Sequence, residues 1–210
     1  MTDFNRLSEA VISGDFRQAE VLTKQMVENK VDPLQIINEG LIAGMNVVAV
    51  RFKAGDMFVP EVMMSAKAMS TGVELVKPLV TESDITSAGK VVIGTVKGDM
   101  HDIGKNLVTM MLESVGFSVI DLGVDVKAET FIEAIKEHHP QIIGISALLT
   151  TTMLNMKDIL DILKEEGLRD KVKVIIGGAP VTQEFCTQIG ADGYADDAAE
   201  AADLCKRLVG

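Results

Sequence analysis

One histidine stands between two aspartates in the segment 97–106. Asp99 precedes His101 by two residues, and Asp102 follows it directly. An imidazole beside a carboxylate is the arrangement of a metal ligand with its orienting hydrogen-bond partner, and it also suits acid–base chemistry. The alternative is that His101 only caps the helix that begins near Gly104. The spacing alone leaves both interpretations open.

A metal ion held by protein groups alone does not fit this sequence. Zinc sites use three or four protein ligands. The other two histidines, His138 and His139, lie together at a predicted helix end, and the only cysteines are Cys186 and Cys205. If His101 binds a metal, the remaining ligands must therefore arrive with a cofactor that carries its own macrocycle.

Three further segments lie at the carboxyl ends of predicted strands and could accommodate a large ligand. One is rich in small and hydroxyl-bearing residues, one is a pair of glycines that leaves the backbone uncovered, and one surrounds the single tyrosine. Their candidate residues are Ser146, Leu148, Thr150, Thr152, Gly177, Gly178, Tyr194 and Ala195. Each feature alone is common in turns and helix caps, but together at one sheet edge they favour a binding surface.

The elements that must position these segments alternate between strand and helix. Five short runs, most of them β-branched and without polar alternation, predict strands buried on both faces. These runs are Val91–Val96, Ser118–Leu122, Gln141–Ser146, Val172–Ile176 and Gly193–Ala195. The pattern predicts an α/β domain over residues 90–210 with a flavodoxin-like, doubly wound, five-stranded parallel sheet. Ligands of such sheets bind at the carboxyl ends of the strands, where the candidate residues lie.

Residues 1–80 show only helical periodicity. Asp32 and Pro33 begin a long third helix that runs to about Lys53, and Pro60 opens a fourth. Four helices with short connections predict an antiparallel bundle. The polar segment 81–89 is predicted to link the bundle to the α/β domain.

The charge and the hydropathy pattern exclude several partners. The net charge of −11 disfavours nucleic-acid binding, which needs a basic face. No stretch approaches the roughly 18 apolar residues of a membrane span, and the N-terminal residues lack the basic and apolar regions of a signal peptide. We therefore expect a cytoplasmic protein that binds neither nucleic acid nor a membrane.

Three short motifs follow the first, third and fourth predicted strands. They are Asp99-x-His101-x-x-Gly104, Ser146-x-Leu148 and Gly177-Gly178. Together they resemble the signature of cobalamin-binding domains that hold the cofactor base-off with a histidine as axial ligand. Segment 98–106 is similar to part of cobalamin-dependent methionine synthase, and segment 55–61 resembles its capping bundle. A bundle and such a domain in a chain of this length resemble the corrinoid proteins of methyltransferase systems.

The resemblance implies a role for each matching residue. His101 would be the lower axial cobalt ligand in place of dimethylbenzimidazole, and Asp99 would accept its other N–H. Thr152 takes the place of a serine that completes this relay in the methionine synthase pattern. The residues expected around the displaced base and the nucleotide tail are Gly104, Ser146, Leu148, Thr150, Gly177, Gly178, Tyr194 and Ala195. Phe58, Val59 and Met63 of the bundle are expected to shield the methyl face, with ordinary core packing as the alternative.

The resemblance also implies a methyl carrier that is not catalytic alone. Cobalamin or a related corrinoid would alternate between methyl-Co(III) and Co(I), that is, between methylcobalamin and cob(I)alamin. The partners would be a substrate:corrinoid methyltransferase, a methylcorrinoid:acceptor methyltransferase and a reductive activase. On demethylation His101 would leave the cobalt and take a proton, stabilised by Asp99, and the bundle would move aside about the linker.

Three other classes share parts of this pattern. An adenosylcobalamin mutase subunit would need room for the adenosyl group where the bundle lies. A cobalamin-dependent sensor usually carries a basic DNA-binding module, which a chain of net charge −11 does not offer. A phosphoacceptor receiver is disfavoured because the third strand ends in Ser146 and not in an aspartate.

Overall fold

Residues 3–79 form four helices in the computed structural model, which describes residues 3–79 and 88–210. The helices are α1 (Asp3–Ile12), α2 (Phe16–Glu28), α3 (Pro33–Lys53) and α4 (Val59–Val76), followed by a 3-10 turn at Lys77–Leu79. The sequence predicts Asp15 and Asp32 at the starts of the second and third helices, and both are confirmed as N-caps. The Asp15 carboxylate accepts the Gln18 N–H at 2.9 Å, and the Asp32 carboxylate accepts the Leu34 N–H at 2.9 Å.

Helix α3 is π-helical in its middle, over Ile36–Ile42, a feature that the sequence periodicity does not predict. It lies very close to α1. A Cβ atom on Gly40 would come 2.7 Å from the Leu7 side chain, and one on Gly44 would come 2.8 Å from the Ser8 carbonyl oxygen. The two glycines therefore permit a helix contact that no larger residue would allow.

By length and composition alone, Pro33–Lys53 is also apolar enough to cross a membrane. Its side chains Ile36, Leu41, Met45 and Val48 are fully buried among the other helices of the bundle. The apolar character of α3 is thus accounted for by the core that it builds.

The described residues from 88 onward form the predicted α/β fold. The strands are β1 (Gly89–Thr95), β2 (Phe117–Asp121), β3 (Ile142–Ser146), β4 (Lys173–Gly177) and β5 (Gly193–Ala195). The helices are α5 (Ile103–Ser114), α6 (Ala128–His138), α7 (Asn155–Glu165), α8 (Gln183–Ile189) and α9 (Ala198–Val209). All strand pairs are parallel, in the order β2-β1-β3-β4-β5, which confirms the flavodoxin-like sheet.

Four strands end in one register. Thr95 of β1 pairs with Ser146 of β3, Ser146 with Gly177 of β4, and Gly177 with Ala195 of β5. The loops that follow these residues therefore begin side by side at the carboxyl edge of the sheet. This is the edge at which the sequence places the candidate residues.

The chain divides into two compact units, one with residues 3–79 and one with nearly all of 88–210. Most of the predicted linker, at 81–87, lies outside the described residues, so its boundaries stay a prediction. The sequence pattern predicts that the helix after β3 begins at Thr152, and this start is wrong. Helix α7 begins at Asn155 and not at Thr152, because turns over 149–154 bring Thr152 back towards Asp99.

Candidate functional site

His101 lies at the crest of the loop between β1 and α5. Its Nδ1 is 2.7 Å from Oδ1 of Asp99. An ionised carboxylate only accepts hydrogen bonds, so Nδ1 carries the hydrogen, and in the neutral imidazole Nε2 is then the nitrogen with the lone pair. The side chain is 51% exposed, and Nε2 has no partner within residues 3–79 and 88–210. The ring thus bonds a carboxylate instead of capping α5, and its other nitrogen is available to a ligand.

Asp99 is fully buried and accepts five hydrogen bonds. The donors are His101 N at 3.1 Å and Nδ1 at 2.7 Å, Leu148 N at 2.8 Å, Leu149 N at 3.3 Å and Thr152 Oγ1 at 2.7 Å. Burial by itself raises the pKa of a carboxyl group. Here the bonds from Leu148, Thr152 and His101 outweigh burial and hold the pKa of Asp99 well below its usual range. Asp99 is therefore a permanent negative charge beside the imidazole.

Thr152 completes a continuous chain of hydrogen bonds behind the imidazole. Its side chain is almost fully buried, and its hydroxyl lies 2.7 Å from Asp99 Oδ2 and 3.0 Å from the Leu149 carbonyl oxygen. One hydroxyl hydrogen serves these two acceptors. The three residues predicted as a relay are thus joined in the order His101, Asp99, Thr152.

Three residues that the sequence reasoning missed hold the main chain of this loop. Thr95 Oγ1 donates to the His101 carbonyl oxygen at 2.9 Å, and Asn155 Nδ2 donates to the carbonyl oxygen of Lys97 at 2.7 Å. Asp125 Oδ1 accepts the N–H of Gly98 at 2.6 Å. The sequence could have indicated Thr95, because it is the one hydroxyl-bearing residue in the apolar run Val91–Val96. A hydroxyl buried in such a strand needs a hydrogen-bond partner.

The first turn of α5 is tied to the end of β2 by an ion pair between a buried lysine and an exposed aspartate. Lys105 is almost fully buried, and its Nζ bonds Oδ2 of Asp121 and, at 2.7 Å, Oδ1 of Asn106. The other Asp121 oxygen accepts the Gly123 N–H at 2.8 Å. This pair fixes the helix start that follows the His101 loop.

The three predicted tail glycines differ in what surrounds them. A Cβ on Gly104 would meet nothing within 4 Å, so the space above it is open. A Cβ on Gly177 would lie 3.1 Å from the Ala195 carbonyl oxygen. Gly178 has φ +122°, and a Cβ there would lie 1.9 Å from the Ala147 carbonyl oxygen. The protein's own backbone therefore requires glycine at 178, whether or not a ligand lies against it.

The remaining predicted residues of the α/β domain lie along the same edge. Leu148 and Thr150 are exposed, Ser146 is half-buried, and Ala195 is buried. Tyr194 donates its hydroxyl hydrogen to Asp196 at 2.8 Å. Burial, together with this bond and the charge of Asp196, raises the pKa of Tyr194 to about 12, so its hydroxyl stays protonated.

The His101 loop and the segment 148–154 that contacts Asp99 carry large apolar side chains that are exposed. They are Met100, Ile103, Leu148, Leu149 and Leu154, and Ile103 is the most exposed of them at 77%. Exposed apolar side chains on the same loops as a free imidazole nitrogen fit a broad macrocycle with a metal at its centre. Within the described parts of the chain there is no group of three His, Cys, Asp or Glu residues that could hold a bare ion.

The three predicted cap residues lie at the start of α4. Phe58 is 70% exposed and Met63 is 47% exposed, so neither belongs to the core of the bundle. Val59 is half-buried. The N–H of Phe58 donates to the Glu61 carboxylate at 2.8 Å, which fixes the helix start that carries these side chains.

Comparison with known proteins identifies the class. A family model described as a B12 binding domain matches residues 89–203, and a second B12 binding domain model matches residues 3–77. The fold and the site therefore define a cobalamin-binding protein. This confirms the cofactor predicted from the motifs.

Relatives narrow the class further. The chain is 48% identical over 194 residues to dimethylamine corrinoid protein 1 of Methanosarcina acetivorans, covering 92% of this chain and 91% of that protein. It is 42% identical over 213 aligned positions to a corrinoid protein of Desulfitobacterium hafniense, covering 100% and 99%. A chain in the methanol:cobalamin methyltransferase complex of Methanosarcina barkeri is 35% identical, with a TM-score of 0.89 over 99% of this chain and 79% of that one. The chain belongs to the corrinoid proteins of methyltransferase systems.

Proposed function

We propose that this protein carries a methyl group on a corrinoid held base-off, with His101 as the axial ligand. One observation carries the proposal. The Nε2 atom of His101 has no partner among the described residues, Nδ1 is held 2.7 Å from a fully buried aspartate, and the loops that meet at this aspartate carry exposed apolar side chains. The residues present therefore fit a corrinoid whose own base has been displaced.

When bound, the corrinoid supplies a cobalt atom that takes a methyl group from one partner and gives it to another. The chain's own contribution is the control of the imidazole. Asp99 fixes the tautomer in which Nε2 is the ligating atom. When His101 is off the metal, Nε2 is free to take a proton, and the Asp99 carboxylate stabilises the imidazolium. The position of the proton is thereby coupled to ligation.

The residues along the carboxyl edge would hold the displaced base and the nucleotide tail. Ser146 is the last residue of β3, Leu148 lies in the loop after it, and Thr150 lies further along that loop. The open space above Gly104 leaves a path for the tail beside the first turn of α5. Gly177, Gly178, Tyr194 and Ala195 are proposed as further contacts of the tail on the basis of their register at this edge.

The roles of the bundle are part of the same proposal. Phe58 and Met63 are exposed apolar side chains that would shield the methyl group, with Val59 beside them. Segment 81–89 would act as the linker between a bundle at 1–80 and a cobalamin domain at 90–210. Movement of the bundle would give the partners access to the cobalt.

The partners follow from the chemistry of a carrier. A methyltransferase that demethylates a small donor would load the protein, and a second methyltransferase would unload it. The relatives named for dimethylamine and methanol indicate the size of such donors. A reductive activase would restore a cofactor lost to oxidation, and the protein would act in the cytoplasm without nucleic acid or a membrane.

Reconstitution with hydroxocobalamin tests the proposal. The wild-type protein should bind the cofactor with the absorption spectrum of a nitrogen-ligated corrinoid, and the bound cofactor should accept a methyl group from a cognate methyltransferase. His101→Ala should change that spectrum, whereas His138→Ala, a change at a histidine of α6, should not. An unchanged spectrum in His101→Ala would remove the axial ligand from the account.

A further inference from the structure

The His101 loop has a second anchor, which is independent of Asp99. Thr95, the last residue of β1, is fully buried, and its Oγ1 donates to the His101 carbonyl oxygen at 2.9 Å. Its own N–H and carbonyl are also occupied, by Gly123 O at 3.0 Å and Val126 N at 2.9 Å. Strand pairing and these bonds fix Thr95, so its hydroxyl offers the loop a rigid point of attachment.

The two anchors come from different strands. Asp99 is bound to Leu148, Leu149 and Thr152, which follow β3, and it holds the ring through Nδ1. Thr95 belongs to β1 and holds the main chain from which the ring projects. Asp99 also accepts the main-chain N–H of His101 at 3.1 Å, so it holds the N–H side of the residue, and Thr95 holds the carbonyl side. Held on both sides, the main chain of His101 sets the direction in which Nε2 points.

We propose that Thr95 is a positioning residue for His101, which keeps Nε2 aimed at the metal of the bound corrinoid. This inference rests on the proposed function, since it gives a task to the ligand that His101 would supply. Loss of the hydroxyl would leave the His101 carbonyl without this buried partner and would let the loop relax away from the metal. The ratio of His-ligated to His-free protein should then fall by roughly five- to tenfold, the equivalent of one such hydrogen bond.

The test compares near-isosteric variants of the whole chain loaded with cobalamin. Thr95→Val removes the hydroxyl and keeps the shape of the side chain, and Thr95→Ser keeps the hydroxyl. Thr109→Val is the matched control, because Thr109 lies in α5 and its buried hydroxyl has no hydrogen-bond partner among the described residues. The fraction of His-ligated cofactor at a fixed pH is read from the absorption spectrum, and His101→Ala defines zero ligation.

The proposal predicts a loss of ligation in Thr95→Val, recovery in Thr95→Ser and no change in Thr109→Val. Wild-type ligation in Thr95→Val, with ligation abolished in His101→Ala, would overturn the inference and leave the proposed function standing. If His101→Ala itself keeps the wild-type spectrum, both fail.

A measurement on the cofactor-free protein covers the case in which Thr95→Val does not fold. In Thr95→Ala, nitrogen-15 relaxation of the His101 ring should show increased mobility, while the Leu148 amide keeps its wild-type order. A ring as rigid as in the wild type would overturn the inference without reference to any cofactor.

Discussion

At the scale of single residues, the Asp99 carboxylate decides what the site can do. It is fully buried and ionised, and it is stabilised by donors from two loops. A carboxylate with so many donors is a poor proton acceptor, so a proton that reaches this network resides on the imidazole. In the proposed role, His101 would be the ligand through Nε2, and Asp99 would hold its ring through Nδ1.

Asp99→Asn should destabilise the protein. The NH₂ group of asparagine donates hydrogen bonds, so it cannot replace a carboxylate oxygen that accepts the Leu148 N–H. The unpaired donor and the lost charge should lower the free energy of unfolding by about 2 kcal/mol. Asp102→Asn is the control, because Asp102 is exposed and its side chain accepts only a 3.2 Å bond from Asn106. Equal unfolding free energies for the two variants in urea would contradict the assigned role of Asp99.

Asp99→Asn should also change how the free energy of unfolding depends on pH. Because the pKa of Asp99 is lowered in the fold, its stabilisation is complete above the pKa of an unfolded aspartate, about 3.9. It is lost as the pH falls through the lower folded value. The difference in unfolding free energy between wild type and Asp99→Asn should therefore be constant near neutral pH and shrink in strong acid. A difference that grows on acidification would contradict this sign.

Thr152 allows the hydroxyl of the relay to be tested without a change of shape. Thr152→Val should cost about 1 kcal/mol of stability and weaken the hold on Asp99, since the 2.7 Å bond is lost. Thr152→Ser should behave as the wild type. Thermal unfolding and the spectrum of the loaded protein measure the two effects, and a serine variant as impaired as the valine one would show that the hydroxyl is not the active feature.

At the scale of elements, the register of the sheet assembles the site. Thr95, Ser146, Gly177 and Ala195 form one row across β1, β3, β4 and β5. Residues far apart in the sequence, such as Asp99 and Thr152, come into contact because the loops start from this row. A parallel sheet makes this juxtaposition a consequence of strand order.

Alanine substitutions at Gly104 and Gly178 should have different effects, one on cobalamin binding and the other on the stability of the fold. Gly104→Ala adds a methyl group in open space near the start of a helix and should leave stability equal or up to about 1 kcal/mol higher. It should nevertheless weaken cobalamin binding if the nucleotide tail passes there. Gly178→Ala should lower the melting temperature even without cofactor, because its Cβ would collide with Ala147. Unaltered cobalamin affinity in Gly104→Ala would contradict the proposed path of the tail.

Most of the strands and the pairing of Asp99 with His101 could be predicted from the sequence, and the features that could not have physical causes. The β-branched runs predict the strands because burial on both faces requires them. The Asp99–His101 contact follows from their spacing, but the main-chain supports do not. Asp125 and Asn155 reach the loop only through tertiary structure, and the periodicity of the sequence gives no sign of the π-helical part of α3.

At the scale of the whole molecule, the chain divides into a helical unit and an α/β unit, each matched by its own B12 binding domain model. The buried residues of α3 give the helical unit a core of its own, and the sheet with its helices gives the other a second core. This division supports the proposal that the two parts have separate tasks, shielding in one and ligation in the other.

Limited proteolysis tests the proposed boundaries. Domain linkers are the usual sites of first cleavage, so cuts should fall within 81–89 and give two fragments that resist further digestion. The larger fragment should retain bound corrinoid, because every residue of the proposed ligating network lies within 90–210. First cuts inside α2 or the sheet would contradict the domain assignment.

The central claim is that a nitrogen of His101 binds the cobalt. Electron paramagnetic resonance of the Co(II) form tests it directly in protein labelled with nitrogen-15 only in histidine. Ligation by His101 predicts that the three-line splitting from an axial nitrogen-14 becomes two-line on labelling and disappears in His101→Ala. A three-line splitting that survives both the label and the substitution would mean that the cofactor's own base still occupies the metal, and it would contradict the account.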